Sequence, residues 1–214
     1  MIPSTLESQH LTGVIEITNG TTAKMECNPA EPHNPVMSDT NKNKETGKRQ
    51  LRHYGLPTTF NYGFIPQTWE DPAEGGDNDP VDLVDLSTSS KKPLLAVCDY
   101  LVLGCLGLID EGEYDWKVLA LEVNEAKKLG VVTMDDFHKQ FPGRVDEVRE
   151  WFRMYKTLDG KPENKFTEDG RVYTQKETFE IVHSTITQYR KLMDPASGVP
   201  QRQDFWLEQR DEKL

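Results

Sequence analysis

Short apolar and alternating runs dominate the first half of the chain, and a three-to-four-residue apolar period takes over in the second. Gly13 to Ile17 and Thr22 to Cys27 read as short strands separated by the turn signal Asn19-Gly20. Asn28 to Arg49 is rich in Pro, Asn and Lys and reads as a long surface loop, its Lys42 to Arg49 run solvated. Gln50 to Tyr54 reads as a strand, and Phe64-Ile65-Pro66 and Val81 to Leu86 as short extended pieces. Leu94 to Asp110 is rich in β-formers. It contains Gly104 and Gly107, and glycines of this kind mark the bends that close a barrel. Trp116 to Val123 supplies another strand.

The helical signals come later. Met134 to Gln140 makes a short helix, N-capped by Thr133 and stopped by Pro142. Val145, Val148, Phe152 and Tyr155 form one apolar helix face. Thr174-x-x-Glu177 is a capping box opening a helix that runs through Ile181, Ile186 and Tyr189 to about Met193, where Asp194-Pro195 ends it. Strands first and helices last predict an α+β fold: a small closed antiparallel barrel, OB-like, with two main α-helices packed on it. Residues 1–193 form one catalytic domain in this reading, and 194–214 a loosely attached tail anchored only at Phe205-Trp206.

Composition narrows the functional classes. The 214 residues carry 25 Lys and Arg against 36 Asp and Glu, a net charge of -11. Affinity for a nucleic acid comes mainly from Lys and Arg at phosphates, so this balance predicts no nucleic-acid partner. Three cysteines without regular spacing make no disulfide framework and favour a reducing compartment. Met1 to His10 has no basic start and no apolar core, and Tyr100 to Ile109 is too short to span a bilayer. A soluble cytoplasmic chain without a membrane partner is the expectation.

The acid is unevenly distributed. No Lys or Arg lies between Arg52 and Lys91, while Glu70, Asp71, Glu74, Asp77, Asp79, Asp82 and Asp85 do. In an extended chain Asp77 and Asp79 share a face on either side of Asn78, and Asp82 follows Pro80. Carboxylates crowded in this way repel one another unless cations are present, and hard divalent ions with oxygen ligands, Mg²⁺ first, suit them. A second cluster, Asp110 to Lys117, lies at the turn between two predicted strands. Neither is an EF-hand loop: the sixth positions are Asp82 and Asp115 rather than Gly. Two solvated acidic loops are the plain alternative. Glu70 and Asp71 read equally well as ligands or as structural loop residues.

The run Asn61-Tyr62-Gly63-Phe64-Ile65-Pro66-Gln67-Thr68-Trp69-Glu70-Asp71-Pro72, followed by Gly76-Asp77-Asn78-Asp79-Pro80-Val81-Asp82, resembles the family I soluble inorganic pyrophosphatases of eukaryotic, protist-like type. Leu108 to Glu113, Asp115-Trp116-Lys117, Trp151-Phe152-Arg153 with Tyr155-Lys156, and Asp159 to Asn164 fit the same order, so the likeness spans about Val14 to Met193. It implies that Asp77, Asp82 and Asp115 ligate activating metals. Asp110 takes a further metal brought with substrate, and Glu26 assists. Asp79 deprotonates the attacking water. Lys24, Arg52, Lys117, Tyr155 and Lys156 grip the two phosphoryl groups, with Tyr62 beside them and Glu16 supporting the basic cluster. Arg52 and Tyr155 act with Asp79 as catalytic groups.

The implied reaction is Mg²⁺-dependent hydrolysis of pyrophosphate to two orthophosphates by direct attack of a metal-bound hydroxide, with no phosphoenzyme. Mn²⁺, Co²⁺ or Zn²⁺ are alternative metals and Ca²⁺ an inhibitor. The alternatives carried beside it are a short-chain polyphosphate hydrolase using other divalent metals and a catalytically silent metal-binding module. Two departures stand out. Thr58 occupies the position four before Tyr62 where the family has Tyr, and Thr18, Asn19 and Gly20 replace the Pro, Arg and Trp of the usual dimer contact. A homo-oligomer is expected from the family, and an acidic phosphate-storing vacuole is the alternative compartment if the chain belongs to a longer protist protein.

Overall fold

A computed structural model describes residues 9–43, 46–87 and 91–207. Most of the Met1 to His10 segment, and 208–214 of the tail, lie outside these. The strands are β1 (His10–Ile17), β2 (Met25–Cys27), β3 (Val36–Ser38), β4 (Thr40–Lys42), β5 (Arg49–Leu51), β6 (Asn61–Phe64), β7 (Asp82–Asp85), β8 (Val97–Asp110), β9 (Glu113–Glu122) and β10 (Lys165–Phe166). The helices are α1 (Val123–Leu129), α2 (Met134–Gln140), α3 (Arg144–Met154) and α4 (Gln175–Met193).

The main sheet runs β1-β6-β7-β9-β8-β10, and pairing of β1 with β8 closes the first five strands into a ring. This is the α+β, OB-like architecture. It is mixed rather than wholly antiparallel, because β7 and β9 pair in parallel. The Asn28 to Arg49 segment, read as loop, contributes β3 and β4, which pair with β2 and β5 in two small hairpin sheets. These strands are mostly exposed on both faces and carry no apolar alternation, which is why the pattern hides them. The segment Val123–Leu129, whose seven residues bury only Val123 and Ala126, was likewise absent from the apolar period.

Two apolar clusters lie against the sheet. One joins Phe60, Leu106, Leu119 and Leu121 to Val145, Val148, Trp151 and Phe152 of α3 and to Phe137 of α2. The other joins Ile15, Leu83, Tyr100, Val102 and Val118 to Val182 of α4. Long β8 serves both clusters. Leu101 and Leu103, then Leu106 and Leu108, all face the first, so the side-chain parity switches between them. A register shift between Val102 and Gly104 makes that switch. Gly104 thus marks a bend, as its position in the run predicts, whereas Gly107 is a packing glycine against Thr167 and Trp116. Gly63 is required for another reason: a Cβ there would lie 1.9 Å from the Val14 carbonyl oxygen of the paired strand.

The Thr174–Glu177 capping box forms, and the Thr133 N-cap proves to be a second box, closed by Asp136. Beyond the expected anchor at Phe205-Trp206, the tail buries Val199 in a cluster with Trp69 and Leu192, and Arg202 donates to the Leu192 carbonyl. The Trp206 N–H donates to the Pro29 carbonyl at 2.6 Å, Trp206 packs on His33, and Phe205 meets Trp69 edge-on.

Candidate active site

Elements from across the chain converge on one cavity of about 290 Å³. β1 supplies Glu16, the approach to β2 Lys24 and Glu26, the end of β5 Arg52, and β6 Tyr62. The loop before β7 supplies Asp77 and Asp79, and β7 opens with Asp82. Asp110 ends β8, Asp115 and Lys117 lie on β9, and Tyr155 and Lys156 follow α3. Every residue to which the family resemblance gives a site role therefore lines this cavity, whereas Glu70 and Asp71 do not. Tyr54, Glu111, Glu113 and Lys161 line it as well.

Local physics places these groups. Asp115 and Lys117 are two apart on a strand and point the same way. The parallel register sets Asp82 opposite Lys117. Asp77 and Asp79 are not in an extended run. Asn78 adopts φ 75°, and the Asp79 N–H donates to Asp77 Oδ1 at 3.0 Å, so a tight turn replaces the expected strand. Asn tolerates this left-handed conformation better than most residues. The Trp69 indole donates to Asn78 Oδ1 at 3.1 Å and holds the turn, and the Tyr114 N–H to Gly75 carbonyl bond ties the loop to β9.

The acidic side contains a group whose ligand oxygens all lie within 4.8 Å of one another: Glu70, Asp77 and Asp115. Glu70 is buried, accepts from the Trp116 N–H through Oε1 at 3.1 Å, and leaves Oε2 without a partner. Burial, then repulsion by Asp77, raises its carboxyl well above the usual range. Asp77 and Asp79 are pushed up to about 7, first by burial and then by Asp115 and Asp77 respectively. Burial also pushes Asp115 up to about 7, with Asp82 adding repulsion against the pull of Lys117. Such a set of buried, mutually repelling oxygens, one of them unpartnered, fits a hard divalent cation, whose charge would remove the repulsion. Glu70 joins the group where Asp82 does not. Asp71, its neighbour, is structural: it accepts from Ala73 N–H at 2.8 Å and pairs with Lys191 of α4 at 3.1 Å.

The basic side is held by acid. Lys117 pairs with both Asp82 and Asp115 and donates to the Tyr62 hydroxyl at 2.9 Å, while Tyr62 donates to Asp82. Burial opposes the ammonium charge, yet these two carboxylates hold Lys117 protonated and raise its pKa well above the ordinary value. Asp110 pairs with Lys156 and accepts from the Tyr155 hydroxyl at 3.3 Å. Glu26 and Asp39 hold Lys24 at 2.7 and 2.6 Å, and Asp39 holds Arg52 at 2.6 Å. Asp39 gave no sequence signal because it sits between two short polar strands with no acidic neighbour. Glu16 is buried, its carboxyl raised well above the usual range by burial and then by Asp82, and accepts from the Cys27 N–H at 3.1 Å. It braces the β2 backbone rather than a cation directly. Thr58 is buried and donates to the Thr18 carbonyl at 3.3 Å, so it faces away from the cavity.

An OB-like ring of strands with a cavity that sets crowded carboxylates beside fixed cations defines a protein built for a metal-bound, multiply charged anion. The chain belongs to the inorganic pyrophosphatase family: the family model described as inorganic pyrophosphatase matches residues 13–190. The chain is 39% identical over 202 residues to a chloroplastic soluble inorganic pyrophosphatase of Chlamydomonas reinhardtii, covering 91% of this chain and 70% of that one. Its structure is similar to type I inorganic pyrophosphatase from Toxoplasma gondii, with TM-score 0.81 and 33% identity over 89% of this chain and 84% of that one. It is also similar to an N-terminally truncated vacuolar soluble pyrophosphatase from Trypanosoma cruzi in complex with PPi (TM-score 0.79, 32% identity, 89% and 72% covered). Among the described residues, no helix is long and apolar enough to cross a membrane.

Proposed function

We propose that this chain hydrolyses inorganic pyrophosphate to two orthophosphates with Mg²⁺ as activator. The observation that carries the reading is one cavity that brings Asp77, Asp79, Asp82 and Asp115 together with Lys24, Arg52, Lys117 and Lys156. Asp77, Asp82 and Asp115 would hold the metals, with Glu70 as a further oxygen donor, and Asp110 and Glu26 at the substrate end. When bound, divalent cations neutralise phosphate charge and lower the pKa of a coordinated water.

The remaining work falls to the chain's own groups. Asp79, pushed up to about 7 by burial and Asp77, lies in the range a general base needs at neutral pH. It takes the proton as water oxygen bonds to one phosphorus. The bridging P–O bond breaks, and Arg52, Tyr155 and Lys156 stabilise the charge gathering on the departing phosphate. Lys24, Lys117 and Tyr62 orient the substrate, and Glu16 keeps β2 in place. Catalysis by positioning and electrostatics needs no nucleophilic side chain and no phosphoenzyme. The site lies in one catalytic unit ending near Met193, with the tail as an accessory.

Three free cysteines favour a reducing compartment such as the cytoplasm. The exposed Leu94, Leu95 and Val97 offer an apolar patch for self-association, to be read by sedimentation. The test of function is orthophosphate release from pyrophosphate in Mg²⁺, with Asp79→Ala and Asp82→Ala beside the wild type. Both variants are expected to lose at least two orders of magnitude in kcat, roughly the scale of general acid–base contributions. Undiminished hydrolysis in both would overturn the assignment. Tripolyphosphate run in parallel distinguishes a broader polyphosphatase.

A further inference from the structure

Tyr54 lines the cavity, yet neither the carboxylate cluster nor the cation set accounts for it. Its ring is fixed in place. It packs edge-on to Trp151 with centroids 5.1 Å apart at 79°, and edge-on to Tyr155 at 5.6 Å and 81°. Its backbone N–H donates to the Thr22 carbonyl at 2.7 Å. Trp151 and Tyr155 are themselves stacked 5.0 Å apart, so Tyr54 meets a rigid aromatic pair edge-on.

Three tyrosines line this cavity, Tyr54, Tyr62 and Tyr155. The Tyr62 hydroxyl is committed to Asp82 and Lys117, and the Tyr155 hydroxyl to Asp110. Among the described residues, the Tyr54 hydroxyl has no hydrogen-bond partner, while its ring packs on Trp151 and Tyr155 at the border of the apolar cluster under α3. Tyr54 is half-buried, so its hydroxyl opens on the cavity rather than being sealed in protein. The backbone of the same segment has its partner, so the open valence is that of the hydroxyl alone. It lies on the cavity side and within electrostatic reach of Lys117. Phosphoryl oxygens only accept, and a rigidly held O–H that no protein group occupies is a donor already oriented for one.

We propose that Tyr54 is a substrate-binding residue whose hydroxyl donates to a phosphoryl oxygen of pyrophosphate. This rests on the pyrophosphatase reading above. The sequence reads Tyr54 only as the end of a strand from Gln50, whereas β5 ends at Leu51 and leaves Tyr54 in the connection beyond it.

The test uses the full chain as wild type, Tyr54→Phe and Tyr54→Leu. Tyr54→Phe keeps both ring contacts and removes only the donor. It should leave the ligand-free melting temperature unchanged and lower kcat/KM for pyrophosphate roughly tenfold, the scale of a hydrogen bond to a charged group. The inhibition constant for orthophosphate should rise by a similar factor. Tyr54→Leu should in addition lower the melting temperature. Tyr54→Phe equal to wild type in both kinetic constants would overturn the proposal. So would a loss of activity matched by a lower melting temperature in Tyr54→Phe, which assigns the residue to packing. If the wild type hydrolyses no pyrophosphate, the functional reading fails separately. The orthophosphate-induced melting shift then decides the role of Tyr54: a smaller shift in Tyr54→Phe supports the contact, and an equal one removes it.

Discussion

At the level of single residues, the cations of this cavity are positioned by acids as much as by the fold. Asp39 is the clearest case: one buried carboxylate braces both Lys24 and Arg52. Asp39→Asn keeps the volume and weakens both pairs, so kcat/KM for pyrophosphate should fall about tenfold. The effect should fall on KM through Lys24 and on kcat through Arg52; steady-state kinetics checks this. Lys117 is the reverse case, an ammonium 3% exposed between two buried carboxylates. Lys117→Met leaves those carboxylates unpaired and should destabilise the metal-free protein by about 3–5 kcal/mol. Denaturant titration should show the loss shrinking when Mg²⁺ is added. Proton linkage follows from the same crowding. Asp77, Asp79 and Asp115, pushed up to about 7 from 3.8 chiefly by burial, bind protons more tightly folded than unfolded. The metal-free protein should therefore lose stability as pH rises from about 4 to about 7 and change little from these groups above that. Melting curves in a chelator at stepped pH read this directly. A melting temperature that rises across that window would refute it.

At the level of elements, the site depends on where strands start and end. β7 begins at Asp82 and runs parallel to β9, which sets that carboxylate opposite Lys117. α4 reaches the same loop from outside: Gln188 Oε1 accepts from the Asp71 N–H at 2.9 Å, and Lys191 pairs with the Asp71 carboxylate. Thr174→Ala removes the α4 cap and should cost about 1 kcal/mol of stability with kcat/KM unchanged. Gly63→Ala is a harsher change. Its methyl would drive into the Val14 carbonyl on the neighbouring strand, so that variant should fail to accumulate as folded protein, as circular dichroism would show. Much at this scale was legible in advance. The Thr174 capping box, the Thr133 N-cap and the Met134 to Gln140 helix form where the residues place them. The hairpins of β2 with β3 and β4 with β5 were not legible, since strands exposed on both faces carry no alternation. The Asp77–Asp79 turn was misread as extended because the left-handed Asn78 is held by Trp69, a contact outside the local sequence.

For the whole molecule, acidity and anion recognition are compatible because the charges are sorted in space. The net charge of -11 describes the surface field, while the cavity sets five cations among its carboxylates. Binding a divalent cation at this cluster should raise stability, by about 2.7 kcal/mol at a free concentration one hundred times Kd. The gain should be larger at pH 8 than at pH 5, where protons already neutralise the carboxylates; calorimetry with and without chelator measures both. The identity of the cavity was within reach of the sequence alone. Carboxylates two apart, a proline-flanked acidic run and a second acidic turn with Lys117 are local facts that survive any folding, and they determined the chemistry on offer. Only tertiary structure decided how those groups meet. It put Glu70 against Asp77 and Asp115, committed Tyr62 and Tyr155 to carboxylates while leaving Tyr54 open, and recruited Asp39 from a weak hairpin. Those pairings depend on strand register and on closure of the ring between β1 and β8, which link residues far apart in the chain and leave no periodic trace in it.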